Sequence, residues 1–132
     1  FESDKTPEYL ADAGIKYFCD WVNDDMPYNF RTDNGPLLAM PLSKELEDQF
    51  VLLSNLHSES SYGDQIKDAA DMLITEAYEQ GGRMLALSLH PWMMGQPHRI
   101  KVLEDILDYL MSKEEVWSAS ANEILEHWQN QQ

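Results

Sequence analysis

The residues best placed to do chemistry are His90 and Asp20. Each directly follows a short apolar run, Met84 to Leu89 for His90 and Ile15 to Cys19 for Asp20. Both runs read as strands, and in parallel α/β folds the active site gathers at the carboxyl ends of strands. Each residue also leads into a tryptophan-bearing loop, through Trp21 in one case and Trp92 in the other. One rim would then carry both polar groups beside aromatic walls. At such a position Asp20 serves equally well as a turn former. The neighbouring Asn23-Asp24-Asp25 offers oxygens to a cation or a sugar, or stands as a solvated triplet. Gly95-Gln96-Pro97-His98-Arg99 reads as an ordinary loop and helix start, or as an entry whose free N–H groups suit an anion. His57 and His127 read as structural or surface residues. The sequence has no Walker-type phosphate loop, no G-x-G-x-x-G, no nucleophile elbow and no His pair at helical zinc spacing.

The elements that would position these groups alternate. Thr6-Pro7-Glu8 starts a helix with Thr6 as cap, and Gly14 closes it. A strand is expected over residues 15–19, a loop over 20–36, a second strand at 37–40 and a short helix over 44–53. The clearest helix is 62–80, with Ile66, Ala69, Ala70, Leu73, Ile74 and Ala77 on one face. Gly81-Gly82 stops it, and 84–89 reads as a strand buried on both faces. Pro97 opens another helix with Ile100, Leu103, Ile106, Leu107 and Leu110 inward. Val116-Trp117-Ser118 reads as a last short strand. Ser120-Ala121-Asn122-Glu123 is a capping box for a final helix bearing Ile124, Leu125 and Trp128. Strands alternating with helices imply an α/β fold with a parallel sheet.

The 132 residues make one domain, 1–132, able to bury roughly two thirds of its unfolded surface. A hydrophobic fraction of 43%, with 4 Trp, 6 Tyr and 4 Phe, supplies its core. Nine basic against 24 acidic residues give a net charge of −15, which disfavours general binding to nucleic acid or to anionic membrane. The single cysteine, Cys19, excludes an internal disulfide and any Cys-rich zinc module. No run is long enough to span a bilayer and no signal peptide is visible, so a cytoplasmic location is expected.

Three blocks of sequence carry a family resemblance across nearly the whole chain. Leu87-Ser88-Leu89-His90 matches an L-x-L-H motif and runs on into Pro91-Trp92-Met93-Met94-Gly95-Gln96-Pro97-His98-Arg99. Asp20-Trp21-Val22-Asn23-Asp24-Asp25 with Pro27-Tyr28 forms a D-W block, and Trp117-Ser118-Ala119-Ser120 with Glu123-Ile124 and Trp128 a third. Together they resemble the polysaccharide deacetylase superfamily, in the branch that holds the polysaccharide-deacetylase-type allantoinases. The resemblance implies the C-terminal portion of a distorted (β/α)7 barrel. The Asp-Asp and H-x-x-x-H motifs that hold a divalent metal, commonly zinc, in that family do not occur here, nor does its arginine motif. Tyr17 also takes the first acidic position of the D-W motif.

By the same resemblance the parent would hydrolyse a non-peptide C–N bond in a small amide or an N-acetyl sugar. A metal-bound water would attack the carbonyl and His90 would protonate the departing nitrogen. That step needs a charged His90, hence a carboxylate nearby. Leu87 and Leu89 would floor the acyl pocket, with Trp21 opposite, while Asp20 orients polar partners. Asn23, Asp24 and Trp92 complete the expected substrate-binding set. The chain alone is expected to hold no metal and to be inactive. The alternative is a non-catalytic half-barrel that forms a homo-oligomer through exposed sheet edges.

Overall fold

A computed structural model describes residues 2–131 of the chain. It divides into two compact units, one made of 1–42 with 119–132 and the other of 43–118.

In the first unit, helix α1 (Thr6–Asp12) begins on Lys5, with Pro7 in its first turn. Thr6, the expected cap, instead accepts the Ser3 N–H at Oγ1, at 3.0 Å. Gly14 closes α1 as the sequence requires. Its φ is +75°, its N–H bonds Ala11 O, and the Ile15 N–H reaches back to Leu10 O, both at 3.0 Å. This double closure is the Schellman motif, which needs a residue free to turn left-handed. Strand β1 (Tyr17–Phe18) pairs parallel with β3 (Leu37–Ala39) in register Tyr17↔Leu38.

The expected loop contains a third strand, β2 (Tyr28–Phe30), antiparallel to β3. The sheet, ordered β1-β3-β2, is therefore mixed where a wholly parallel one was expected. Its central strand β3 is buried at every residue, and Phe18, Leu37 and Ala39 form a core flanked by Leu10, Trp21, Tyr28 and Phe30. Phe30 meets Phe18 and Trp21 edge-on, at 5.5 and 5.1 Å. Helix α5 (Ala121–Asn130) starts in the expected capping box. Ser120 Oγ takes the Glu123 N–H, and the Glu123 carboxylate takes the Ser120 N–H. Leu125 is its buried residue.

In the second unit, the expected 44–53 helix breaks into a 3-10 turn (Lys44–Leu46) and a π-turn (Phe50–Ser54). Helix α2 (Glu59–Gln80) starts earlier than its periodicity suggests, because Ser58 accepts the Ser61 N–H and caps it. Helix α3 (Pro91–Met94) is an extra turn, and α4 (Ile100–Met111) begins three residues after Pro97. Gly63 lets α2 and α4 approach closely. A Cβ there would stand 3.3 Å from Val102 Cγ1. The core joins Val51, Leu52, Tyr62, Ile66, Met93, Met94 and Ile106. Each such side chain contributes about 1.5–3 kcal/mol on leaving water.

Ile100 and Leu107 were expected inward but are exposed. They lie two turns apart on one flank of α4, outside the stripe of Val102, Leu103, Ile106 and Leu110 that meets the core. The two expected strands at 84–89 and 116–118 are not strands. A strand exists only through a ladder partner. Residues 86–90 instead bond segment 43–48, partly through side chains.

Candidate functional site

The 43–118 unit holds a histidine clamped by a buried carboxylate. His90 is the N-cap residue of α3, and its carbonyl accepts the N–H groups of Met93 and Met94, both at 2.9 Å. Met93 and Met94 are 0% and 1% exposed, so they anchor this single turn in the core. Pro91 suits the first helical position, where no N–H is needed. Trp92 is left 58% exposed, and its ring stands 5.8 Å from the His90 ring in an edge-on arrangement.

Asp48 faces His90 from the join between the two short turns. Its side chain is 0% exposed, that of His90 30%. Asp48 Oδ2 accepts the His90 backbone N–H at 2.6 Å, and Oδ1 lies 2.6 Å from Nδ1 of the ring. The Gln49 N–H adds a third bond to Oδ1 at 2.7 Å. Such a carboxylate is expensive to bury unless every lone-pair direction is used, and here three donors converge on it. Segments 43–48 and 86–90 are tied at further points. Ser43 N–H meets Ala86 O at 3.0 Å, Ala86 N–H meets Ser43 Oγ at 3.2 Å, and Asp48 N–H meets Ser88 O at 3.4 Å. Tyr62 lies under this join and donates to Leu46 O at 3.3 Å. Burial, then the Asp48 charge, push its phenol up to about 12.

Leu87 and Leu89 are half-buried and pack on the same core. The structure thus gathers Leu87, Leu89, His90 and Trp92 in one unit. Asp20, Trp21, Asn23 and Asp24 belong to the other. There Trp21 is half-buried against the core and donates from Nε1 to Glu2. Asp20, Asn23 and Asp24 are exposed, and Asp24 Oδ1 closes a local turn on the Met26 N–H at 3.1 Å. Burial and the neighbouring Asp20 raise the Cys19 thiol above its ordinary value. Among the described residues no three His, Cys, Asp or Glu side chains group so as to hold a metal ion. None of the described helices is long and apolar enough to cross a membrane.

Sequence reasoning missed Asp48. Asp48 lies three residues before Val51 and four before Leu52, both buried, but the π-turn that carries them breaks the helical period that would have marked it. An acid on the apolar side of a turn calls for a partner.

The fold has close counterparts among solved structures. A crystal structure of Puue allantoinase matches 98% of this chain with a TM-score of 0.86 at 27% identity. A Pseudomonas aeruginosa PAO1 structure, assigned by name to the polysaccharide deacetylases, matches 97% with a TM-score of 0.85 at 28% identity. The chain resembles the polysaccharide deacetylases. A Schizosaccharomyces pombe protein assigned by name to the same deacetylases is 28% identical over 83% of this chain. A deacetylase-named structure from Mycobacterium smegmatis, at 22% identity and a TM-score of 0.80, shares the fold. No family model matches the chain. The chain spans 44% of each of the first two structures and 37% of the Schizosaccharomyces pombe deacetylase, less than half of each.

Proposed function

We propose that this chain is the C-terminal part of a hydrolase of non-peptide C–N bonds, and of a distorted (β/α)7 barrel. His90 is its acid and donates a proton to the nitrogen that leaves. The observation that carries the reading is the His90 site. A partly exposed imidazole is held at a helix start, beside an exposed indole, in a chain resembling deacetylases and an allantoinase. Leu87 and Leu89 line the floor beneath the acyl group, and Trp92 walls the side next to His90. Asp20, Trp21, Asn23 and Asp24 form the further substrate contacts. The substrate is an N-acetyl sugar or a small ureide-like amide.

The divalent metal that the resemblance implies, zinc by preference, does not fit the side chains of this chain, which offer no three-ligand group among the described residues. What the chain contributes is a proton donor and an aromatic and aliphatic wall. The chain alone is inactive on this reading. The test joins this chain to any sequence that continues its frame upstream of Phe1, and assays acetate release from N-acetylated oligosaccharides and ring opening of cyclic ureides. Turnover that falls about 10²–10⁴-fold in His90→Ala supports the reading. Turnover unaffected by that substitution overturns the role of His90, and none on either substrate class overturns the hydrolase.

A second reading draws on the short sheet, in which β1 and β2 are edge strands. A non-catalytic half-barrel would pair such edges with a second copy. Sedimentation showing only monomer would end it.

A further inference from the structure

The 43–118 unit leaves a short apolar stretch bare. Phe50, Leu53 and Leu56 recur at every third residue across the π-turn and its exit, and they are 41%, 44% and 82% exposed. Val51 and Leu52, between them, turn into the core. Among the described residues only Leu56 carries a side chain at positive φ, +54°. It closes the π-turn. The Asn55 N–H bonds Phe50 O at 3.0 Å, and the His57 N–H reaches back to Val51 O at 3.1 Å. Glycine is the usual occupant of such a closing position, because a Cβ there crowds the following carbonyl. A leucine strains the backbone and also sets an apolar side chain in water, and neither cost is returned inside the unit. Strain kept at so exposed a position points to a use outside the unit, in a contact.

A recess of about 230 Å³ lies at the start of the same stretch, lined by Lys44, Glu45, Glu47 and Phe50. It is smaller than the roughly 300–1,000 Å³ of small-molecule sites, and has room for a leucine side chain. Its charge is partly cancelled, since Lys44 Nζ stands 3.3 Å from the Glu47 carboxylate. Charge also narrows what can seat there. Two copies of a chain with net charge −15 repel one another almost wherever they meet. Residues 49–58 contain no Asp, Glu, Lys or Arg, so they offer a meeting place without that repulsion. An anionic membrane would still be repelled by the remainder of the chain. A two-fold pairing uses one patch twice, with residue i on j and j on i. A projecting leucine and a recess within residues 44–56 are self-complementary in that sense.

We propose that segment 44–56 is a self-association surface whose partner is a second copy of this chain. Leu56 of each copy seats in the recess that Lys44, Glu45, Glu47 and Phe50 form on the other, and Leu53 adds apolar area beside it. So short a segment falls well below the 20–30 residues a side of a standard interface, so the dimer is reversible and depends on concentration. The surface is separate from the edges of β1 and β2, which belong to the other unit, and it holds whether or not the chain serves a hydrolase.

The test is sedimentation equilibrium of the full chain over a wide range of concentration, in about 1 M salt, where the Debye length is about 3 Å and the net charge is screened. The wild-type chain should show a reversible monomer–dimer equilibrium. In Leu56→Gly the dissociation constant should rise at least about tenfold. The same variant relieves the strained φ, so its urea midpoint, measured where the chain is monomeric, should rise above that of wild type. A residue with a purely structural role would not weaken association and strengthen the fold together. Leu53→Asp, which keeps Leu56 but puts a like charge on both copies of the patch, should weaken the dimer as well. A wild-type chain that stays monomeric at every concentration overturns the proposal and leaves the patch to a different partner. A dimer of unchanged affinity in both variants overturns it in favour of the sheet edges. A Leu56→Gly chain less stable than wild type removes the strain on which it rests and overturns it too.

Discussion

Replacing Asp48 by alanine should cost the 43–118 unit about 3–5 kcal/mol. Three bonds are lost together, two to His90 at 2.6 Å and one to the Gln49 N–H at 2.7 Å. Two of the donors are backbone N–H groups, and each costs about 1–3 kcal/mol if left without an acceptor. The Asp48 side chain is 0% exposed, so water reaches the vacated space poorly, whereas the ring, 30% exposed, recovers part of its loss from solvent. Breaking a buried charged pair at one partner falls in the same range. Against a native stability of about 5–15 kcal/mol this is a large fraction. The assay is urea unfolding followed by tryptophan fluorescence, since Trp92 stands 5.8 Å from the His90 ring and reports on the join. With a slope of about 1.5 kcal/mol per molar urea, the midpoint should fall by about 2 M or more. Asp48→Asn keeps one acceptor and should fall by less. A loss under about 1 kcal/mol for the alanine variant would refute the argument that the carboxylate holds this join.

Other outcomes follow from the same physical terms. Because the Tyr62 phenol is pushed up to about 12, its contribution is fully present below the ordinary tyrosine value of about 10 and is lost as pH rises through the folded value. Stability should fall by up to about 2 kcal/mol over that window, and Tyr62→Phe should flatten the fall; equal slopes for the two chains would contradict this. Gly95→Ala would bring a Cβ to 2.5 Å from the Pro91 carbonyl oxygen, so α3 must shift, at a cost of about 1–3 kcal/mol in thermal unfolding. An unchanged Tm would mean that α3 gives way freely. Ser120→Ala removes half of the capping box on α5 and should cost about 1 kcal/mol, read in urea midpoints with circular dichroism. No change there would leave the cap without a role.

The parts of the fold legible in the sequence are those whose signals are local. Ser120 and Glu123 form their box, Gly14 closes α1, and the apolar period of 62–80 is a helix. The illegible parts depend on distant partners or on an irregular turn. Residues 84–89 have strand composition, yet their bonds run to segment 43–48 rather than to a ladder. In β2, Tyr28-Asn29-Phe30 does alternate half-buried, exposed, half-buried, but three residues among Asn, Asp, Pro and Gly give a weak period. The π-turn at 50–54 spaces Val51 and Leu52 on i→i+5 bonds, so the 3.6 period fails where Asp48 would have shown itself. Within the site, His90 and Trp92 could be read from their place after an apolar run. Their partner across the join could not.

The division of the chain also sets an order of assembly during synthesis. Residues 43–118 are contiguous, so everything that unit needs has left the ribosome once Ser118 is free. The other unit is split in sequence, so its two pieces, 1–42 and 119–132, meet only after Ala119 has been made. The clamp around His90 can therefore close before residues 119–132 of the other unit are made. A stalled or shortened product ending near residue 118 should carry a folded histidine site and lack the second piece of the other unit.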